Sequence, residues 1–319
     1  MSDPASAVVF DPAAVFPEVT TVRAALAARD WGAVRRVLDA ATPVARTTLI
    51  RIGSEGDHLE DFLRYVVGAD PNDTAAVAML GNHLIEVGWN IRSDARAEHV
   101  SRQQFDSFHD WLRRAEVVLL DGVARRPDDP TLWAVRLISA RGLGLGLAET
   151  RRRYGKLAAL DPNHLPGQWQ FLQGLCPKWG GSWAELQRWC RETMLAAPPG
   201  ALQAGLVADG HIERWLDAGG GAQGVAYLRG DVVRAEIYEA AQRSIWHPGF
   251  SREHGWVDVA SSFAFLFAML EDQAATGAVF RLLGNVATEL PWSYLAGDDP
   301  AGHIRQTREW ALSGSGVTR

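Results

Sequence analysis

An internal repeat limits what this 319-residue chain can fold into. Trp133 and Trp169 lie 36 positions apart, and the same shift carries Ala148 onto Ala184, Glu149 onto Glu185, Arg152 onto Arg188 and Pro162 onto Pro198. Bulky positions follow it too, Val135 onto Phe171 and Leu147 onto Trp183. Each copy has room for two helices and a turn and closes on proline. One helix pair cannot bury its own apolar face, so copies must stack and share a core. The repeat predicts an all-α solenoid of stacked antiparallel helix pairs, about five to seven of them.

Apolar residues recur at helical spacing along most of the chain. Residues 24–28 and 31–40 read as a first short pair, with Asp30 capping the second helix. Residues 57–67 read as a helix capped by Asp57, with Glu60 at the spacing of a capping box. Asp70-Pro-Asn-Asp is a turn. Residues 74–91 and 102–126 read as long helices, the second with Phe105, Phe108, Leu112, Ala115, Leu119 and Val123 on one stripe. Pro130 suits the first position of the next helix. Further helices are expected at 202–216, 232–245, 256–271 and 274–290, and one at 304–312 would close the stack. The expected organisation is a flexible arm at 1–17, a helical cap at 18–70, the repeat array at 71–312 and a flexible tail at 313–319.

A period near 34 with a closing proline is that of tetratricopeptide (TPR) arrays. The match is loose. That pattern has Gly-x-x-Tyr in the first helix and Ala-x-x-x-Phe in the second, where this chain offers Thr150 with Tyr154 and Leu186 with Cys190. The fold class expected is therefore TPR-like, with some units lengthened in the loop.

Composition narrows the function. A net charge of −6 argues against general affinity for nucleic acid or anionic membrane. The two cysteines, Cys176 and Cys190, have no CxxC spacing and read as reduced thiols of a cytoplasmic protein. The first 17 residues have neither a basic start nor an apolar run, so no signal peptide is expected. The longest apolar stretch, 263–270, falls well short of the ~20 residues that span a bilayer. Only Lys156 and Lys178 are lysines; with abundant Ala, Gly and Asp, the arginine bias points to a high-GC bacterial genome.

Several short motifs stand in a fixed order: Gly88-Trp-Asn-Ile-Arg92, Leu175-Cys-Pro-Lys-Trp-Gly-Gly-Ser182, Pro198-Pro-Gly200, Phe263-Ala264, Leu283-Gly284 and Thr288-Glu-Leu-Pro-Trp-Ser-Tyr294. In this the chain resembles a group of actinobacterial TPR-like proteins that carry a Lys-Trp-Gly-Gly-Ser segment. The resemblance spans roughly residues 70–311. It implies the helical-repeat fold and no particular activity.

Two constellations are candidate sites. The first is Lys178-Trp179-Gly-Gly-Ser182. The glycines allow a sharp turn, and Ser182 with Glu185 forms a capping box, which leaves Lys178 and Trp179 unexplained by local structure. A Trp beside a Lys on an inter-helix loop is a plausible contact point for a partner. The second is the helix around His83. Met79, His83, Glu86 and Asn90 share one face, opposite the stripe of Val77, Leu80, Leu84, Val87 and Ile91, and Trp89 and Arg92 lie at its end. His83 and Glu86 read either as a solvated face or as a general acid–base pair; Arg92 suits an acidic ligand. Arg151-Arg152-Arg153, with Arg136 and Arg141 nearby, reads as a solvated outer face or as a basic rim. Trp179, Trp246, Trp256 and Trp292, near loops or helix ends, are candidates to line a groove. Glu55-x-x-His58 and Asp106-x-x-His109 have carboxylate–histidine spacing, but Glu55 stands at a helix start beside Gly56, unlike a di-iron site. No metal or cofactor is expected, and no hydrolase elbow, P-loop or dinucleotide fingerprint is present.

The leading reading is a non-enzymatic scaffold that binds a protein or peptide on its concave face through Trp89, Arg92, Lys178 and Trp179, with a homo-oligomer as a further possibility. The alternative is a small-molecule-binding protein or an enzyme of bacterial secondary metabolism, with a Trp-lined pocket and His83 and Glu86 as acid–base groups. A closed pocket of roughly 300–1,000 Å³ beside His83 would favour the alternative, and an open, shallow groove there would count against it.

Overall fold

The computed structural model describes residues 7–93, 100–297 and 299–313. Residues 1–6 of the expected arm and 314–319 of the expected tail lie outside the described residues. Among the described residues are seventeen α-helices and a single isolated β-bridge. No helix among them is long and apolar enough to cross a membrane. The chain forms two compact units, Phe16–Gly181 and Met1–Val15 with Ser182–Arg319.

The first unit holds α1 (Pro17–Ala27), α2 (Trp31–Ala40), α3 (Pro43–Ser54), α4 (Glu60–Ala69), α5 (Thr74–Arg92), α6 (Arg102–Arg125), α7 (Pro130–Gly142), α8 (Leu147–Leu160) and α9 (Leu165–Leu175). Its packing alternates. The odd-numbered helices form one row, α1 to α3 to α5 to α7 to α9, and α2, α4, α6 and α8 pack against that row. Side-chain caps set most of the starts. Asp30 accepts from Ala33 N, Asp73 from Ala75 N and Ala76 N, and Asp129 from Thr131 N ahead of Pro130. Asp73 also accepts from Trp31 Nε1 and Arg35 Nη1, so one carboxylate starts α5 and ties α2 to it.

α5 is apolar on nearly every side in its first three turns, and such a helix must be covered all round. Met79, Leu84 and Ile85 are fully buried. Glycines bring α6 close: a Cβ on Gly81 would meet Leu119 Cδ2 at 2.5 Å, and one on Gly122 would meet Val77 Cγ1 at 2.6 Å. The opposite side is covered by α3, where a Cβ on Gly53 would lie 3.1 Å from Met79 Cε. The face of Met79 and His83 is therefore not solvated.

Two further expectations change. Asp57 caps nothing; α4 begins at Glu60 behind Leu59 without a side-chain cap, and residues 55–58 form the α3–α4 turn. The arginine run is only in part a solvated face: Arg151 and Arg152 are exposed and Arg153 is not. Arg153 and Arg136 are buried, and both reach Glu116 on α6, while Arg152 and Arg153 hold Glu149. Those bonds hold Glu149 down at about 2, the Arg152 hydrogen bond contributing most.

The second unit holds α10 (Trp183–Ala196), α11 (Gly205–Asp217), α12 (Gly221–Leu228), α13 (Asp231–Arg243), α14 (Trp256–Met269), α15 (Gln273–Leu283), α16 (Ser293–Ala296) and α17 (Pro300–Ser313). α14 is its centre, packed by α11 and α15, with Phe263, Phe265 and Phe267 fully buried. Trp215 and Trp292 meet Phe265 edge-on, at ring separations of 5.1 and 5.5 Å. Trp256 and Trp292 are thus core residues, not groove-lining ones. Within the expected arm, Val9 N donates to Asn285 O and Val9 O accepts from Ala287 N. α8 and α10 begin at Leu147 and Trp183, in step with the sequence repeat.

Candidate functional site

The α3–α4 turn builds one side of a concavity. α3 ends at Ser54, and His58 turns the chain with φ of 55°, its carbonyl held by Arg29 Nη2 at 2.8 Å. That turn and the start of α4 face the second half of α5 across a pocket of about 390 Å³. Glu55, Asp57, Glu60 and Asp61 line it from the turn side, and His83, Glu86, Val87 and Asn90 from α5. Asp57, Asp61 and Asn90 are exposed, so solvent reaches it.

His83 is 7% exposed, and its orientation is fixed. Nδ1 lies 2.9 Å from Ser54 O, the last residue of α3. A carbonyl oxygen only accepts, so Nδ1 carries the proton and donates. In the neutral ring that leaves the lone pair on Nε2, which no group among the described residues occupies. Neighbouring Asn82 donates Nδ2 to Ser54 Oγ, which locks the same end of α3 to α5.

The lining contains five carboxylates, two histidines, no lysine or arginine, and none of the tryptophans expected to line a pocket beside His83. Glu60 is paired with Arg64 and Arg114, and Glu55 with Arg51 at 3.1 Å. Asp57, Asp61 and Glu86 have no ion-pair partner among the described residues. Burial, and then the charge on Glu55, push the Glu86 carboxyl above its usual range, with Arg51 opposing. No three His, Cys, Asp or Glu among the described residues are grouped to hold a metal ion. Glu55 and His58 fall in the turn, Asp106 and His109 on α6.

Three of the residues expected to contact a partner, Trp89, Arg92 and Trp179, are brought together elsewhere in the same unit by Arg141, which reads in the sequence as part of a solvated outer face or a basic rim. Arg141 Cζ lies 5.9 Å from the Trp89 ring and 5.8 Å from the Trp179 ring. Arg92 covers Trp89 from its own helix at 5.3 Å. Trp89 and Trp179 are half-buried, and Lys178 is exposed on a short 3-10 turn, Pro177–Trp179. Gly180 takes φ of 93°, and a Cβ on Gly181 would strike Leu175 O at 2.0 Å, so this glycine pair is required by the backbone. Ser182 Oγ accepts from Glu185 N.

A third polar cluster, in the second unit, was not legible in the sequence because its members lie on four helices. His211 Nδ1 is 2.7 Å from Tyr227 Oη, and His211 Nε2 is 3.2 Å from Glu236 Oε2. Gln187 Nε2 donates to Tyr227 Oη at 3.0 Å. Burial pushes the Tyr227 phenol up to about 12. Both nitrogens of this imidazole are occupied, and the adjoining cavity of about 10 Å³ has room for no more than a water.

The acidic lining of the pocket was only partly foreseen. His83 and Glu86 were legible from helical spacing, whereas Asp57 and Glu60 read as helix-capping groups. The charge run Glu55-Gly-Asp-His-Leu-Glu-Asp61 was the available signal. Comparison with known proteins gives no match: no family model, no curated protein and no solved structure is significantly similar.

Proposed function

We propose that this protein is a small-molecule-binding protein, built on a TPR-like stack of helices, whose site is the acidic pocket between the α3–α4 turn and α5. One observation carries the reading. A buried histidine is held by a backbone carbonyl and lines a solvent-reached concavity of about 390 Å³, its Nε2 without a protein partner among the described residues. That volume lies within the range of small-ligand sites, and a few fixed polar groups in such a space are what orient a ligand. The same groups suit proton transfer. Nε2 of His83 can accept a proton, and Glu86 is held towards its protonated form.

The reading is tested by filling the pocket without touching His83 or Glu86. Asn90 is exposed on the rim, and Asn90→Trp places an indole there. In a ligand-observed NMR screen of small polar fragments, wild-type protein gives hits that Asn90→Trp loses. Equal hits with both proteins would refute the pocket as the site.

A second reading is favoured by a specific observation, the gathering of Trp89, Arg92 and Trp179 around Arg141. Aromatic and arginine side chains are enriched at interface hot spots, so this patch suits a protein or peptide partner, or a second copy of the chain. Trp179→Ala would then abolish a complex seen by size-exclusion chromatography while leaving the melting temperature unchanged. A fall in melting temperature with no loss of complex would assign Trp179 to packing.

A further inference from the structure

We infer that the ligand of the acidic pocket is a small organic cation, an alkylamine whose ammonium group donates to His83 Nε2 and pairs with Glu86. This rests on the reading of the pocket as a ligand site and adds its chemical class.

Charge is the first argument. Among the described residues no lysine or arginine lines the pocket, and of its five carboxylates only Glu55 and Glu60 are paired, with Arg51, Arg64 and Arg114. Among the described residues Asp57, Asp61 and Glu86 have no ion-pair partner, and the charge of Arg51 offsets that of Glu86 only in part. An anion would meet like charges, and a neutral molecule would leave the carboxylates without a counter-charge. A cation satisfies them.

Hydrogen bonding is the second and is independent of charge. His83 is 93% buried by its own exposure of 7%, and the carbonyl of Ser54 fixes Nδ1 as the donor. With Nδ1 taken by Ser54 O, the neutral imidazole has its acceptor at Nε2, beside acceptor-only carboxylates. The complementary ligand is rich in N–H donors. An ammonium has three and no acceptor.

The spread of the carboxylates is the third. They are distributed around the space, and none of the described His, Cys, Asp and Glu residues gather in threes to ligate one ion. A bare metal ion needs several such ligands converging within about 2–2.6 Å. A chain a few carbons long with an amine at each end fits separated carboxylates, its methylenes lying along Val87. Glu86 shows why binding would be favourable: the same burial and Glu55 charge that raise its pKa are offset when a cation arrives.

The test is isothermal titration calorimetry of the full chain with four matched probes: putrescine, agmatine, the neutral 1,4-butanediol and the dianion of adipic acid. Putrescine or agmatine should bind, and the diol and diacid should not. Glu86→Gln should weaken amine binding at least tenfold with its folded state intact by circular dichroism, and Asp61→Asn should weaken it less. Amine binding unchanged in both Glu86→Gln and Asn90→Trp would overturn the assignment, as counter-ion association elsewhere on an acidic protein. Binding of the diol or diacid that Asn90→Trp abolishes would overturn the cation class while leaving the pocket as a ligand site. No heat with any of the four probes would also overturn the cation class, and the fragment screen would then decide the pocket separately.

Discussion

Glu86 is the residue whose behaviour is easiest to separate from the rest of the molecule. It faces Glu55 and Arg51 from α3, Asp57, His58, Glu60 and Asp61 from the turn and α4, and His83 from its own helix. Burial first, and Glu55 second, raise its folded pKa above the ordinary 4.5. Ionising it therefore costs stability in the folded state. That cost is absent below the unfolded pKa and grows as pH rises through the folded one. Glu86→Gln removes it, so the variant should melt above wild type at about pH 8 and level with it at about pH 4. A gain that persists at the lower pH would contradict the linkage. The i, i+3 spacing of His83 and Glu86 made their shared face legible in the sequence. What covers that face was not, because α3 went unrecognised: Thr42 as a cap with Pro43 at the first helical position was the signal, and Thr42 Oγ1 does accept from Ala45 N.

At the scale of elements, close approach of α5 and α6 depends on glycine. A Cβ at Gly81 would fall 2.5 Å from Leu119, whereas one at Gly155, on α8, meets nothing within 4 Å. Substitutions at the two sites should therefore differ in sign. Gly81→Val should cost ~1–3 kcal/mol by overpacking, and Gly155→Ala should gain up to ~1 kcal/mol of helix propensity. Urea unfolding measures both, and a neutral Gly81→Val would show that α6 moves away freely. Glu116 ties three helices in the same unit: it accepts from Arg136 and Ser139 on α7 and from Arg153 on α8. Removing it leaves the buried Arg136 guanidinium without a carboxylate and takes one of two from Arg153, so Glu116→Ala should cost ~3–5 kcal/mol. A loss no greater than that of an exposed pair such as Arg113–Asp110 would show that these arginines find other partners. The stripe of α6 was readable, since Phe108, Leu112, Ala115, Leu119 and Val123 are all buried as their spacing requires. The fate of Arg153 was not. A run of three arginines says that they point in three directions, but not which of them a neighbouring helix supplies with a carboxylate.

At the scale of the whole molecule, the repeat gave the all-helical class and the pairing of helices, because burying one apolar face against the next pair is a local rule. It did not locate the division of the chain after Gly181. That boundary falls inside the Gly-Gly-Ser segment, where sequence reading sees a turn like any other. The segment Phe16–Gly181, expressed alone, should show helical circular dichroism and a cooperative melt; a disordered fragment would show that the unit depends on the rest of the chain. The central claim concerns the pocket, and native mass spectrometry of the protein purified from its own cells addresses it most directly. The account predicts an adduct of small-molecule mass on the wild-type chain that is lost from both Asn90→Trp and His83→Ala purified in the same way. Wild-type and variant spectra with the same adduct, or with a co-purifying protein and no small molecule, would contradict it.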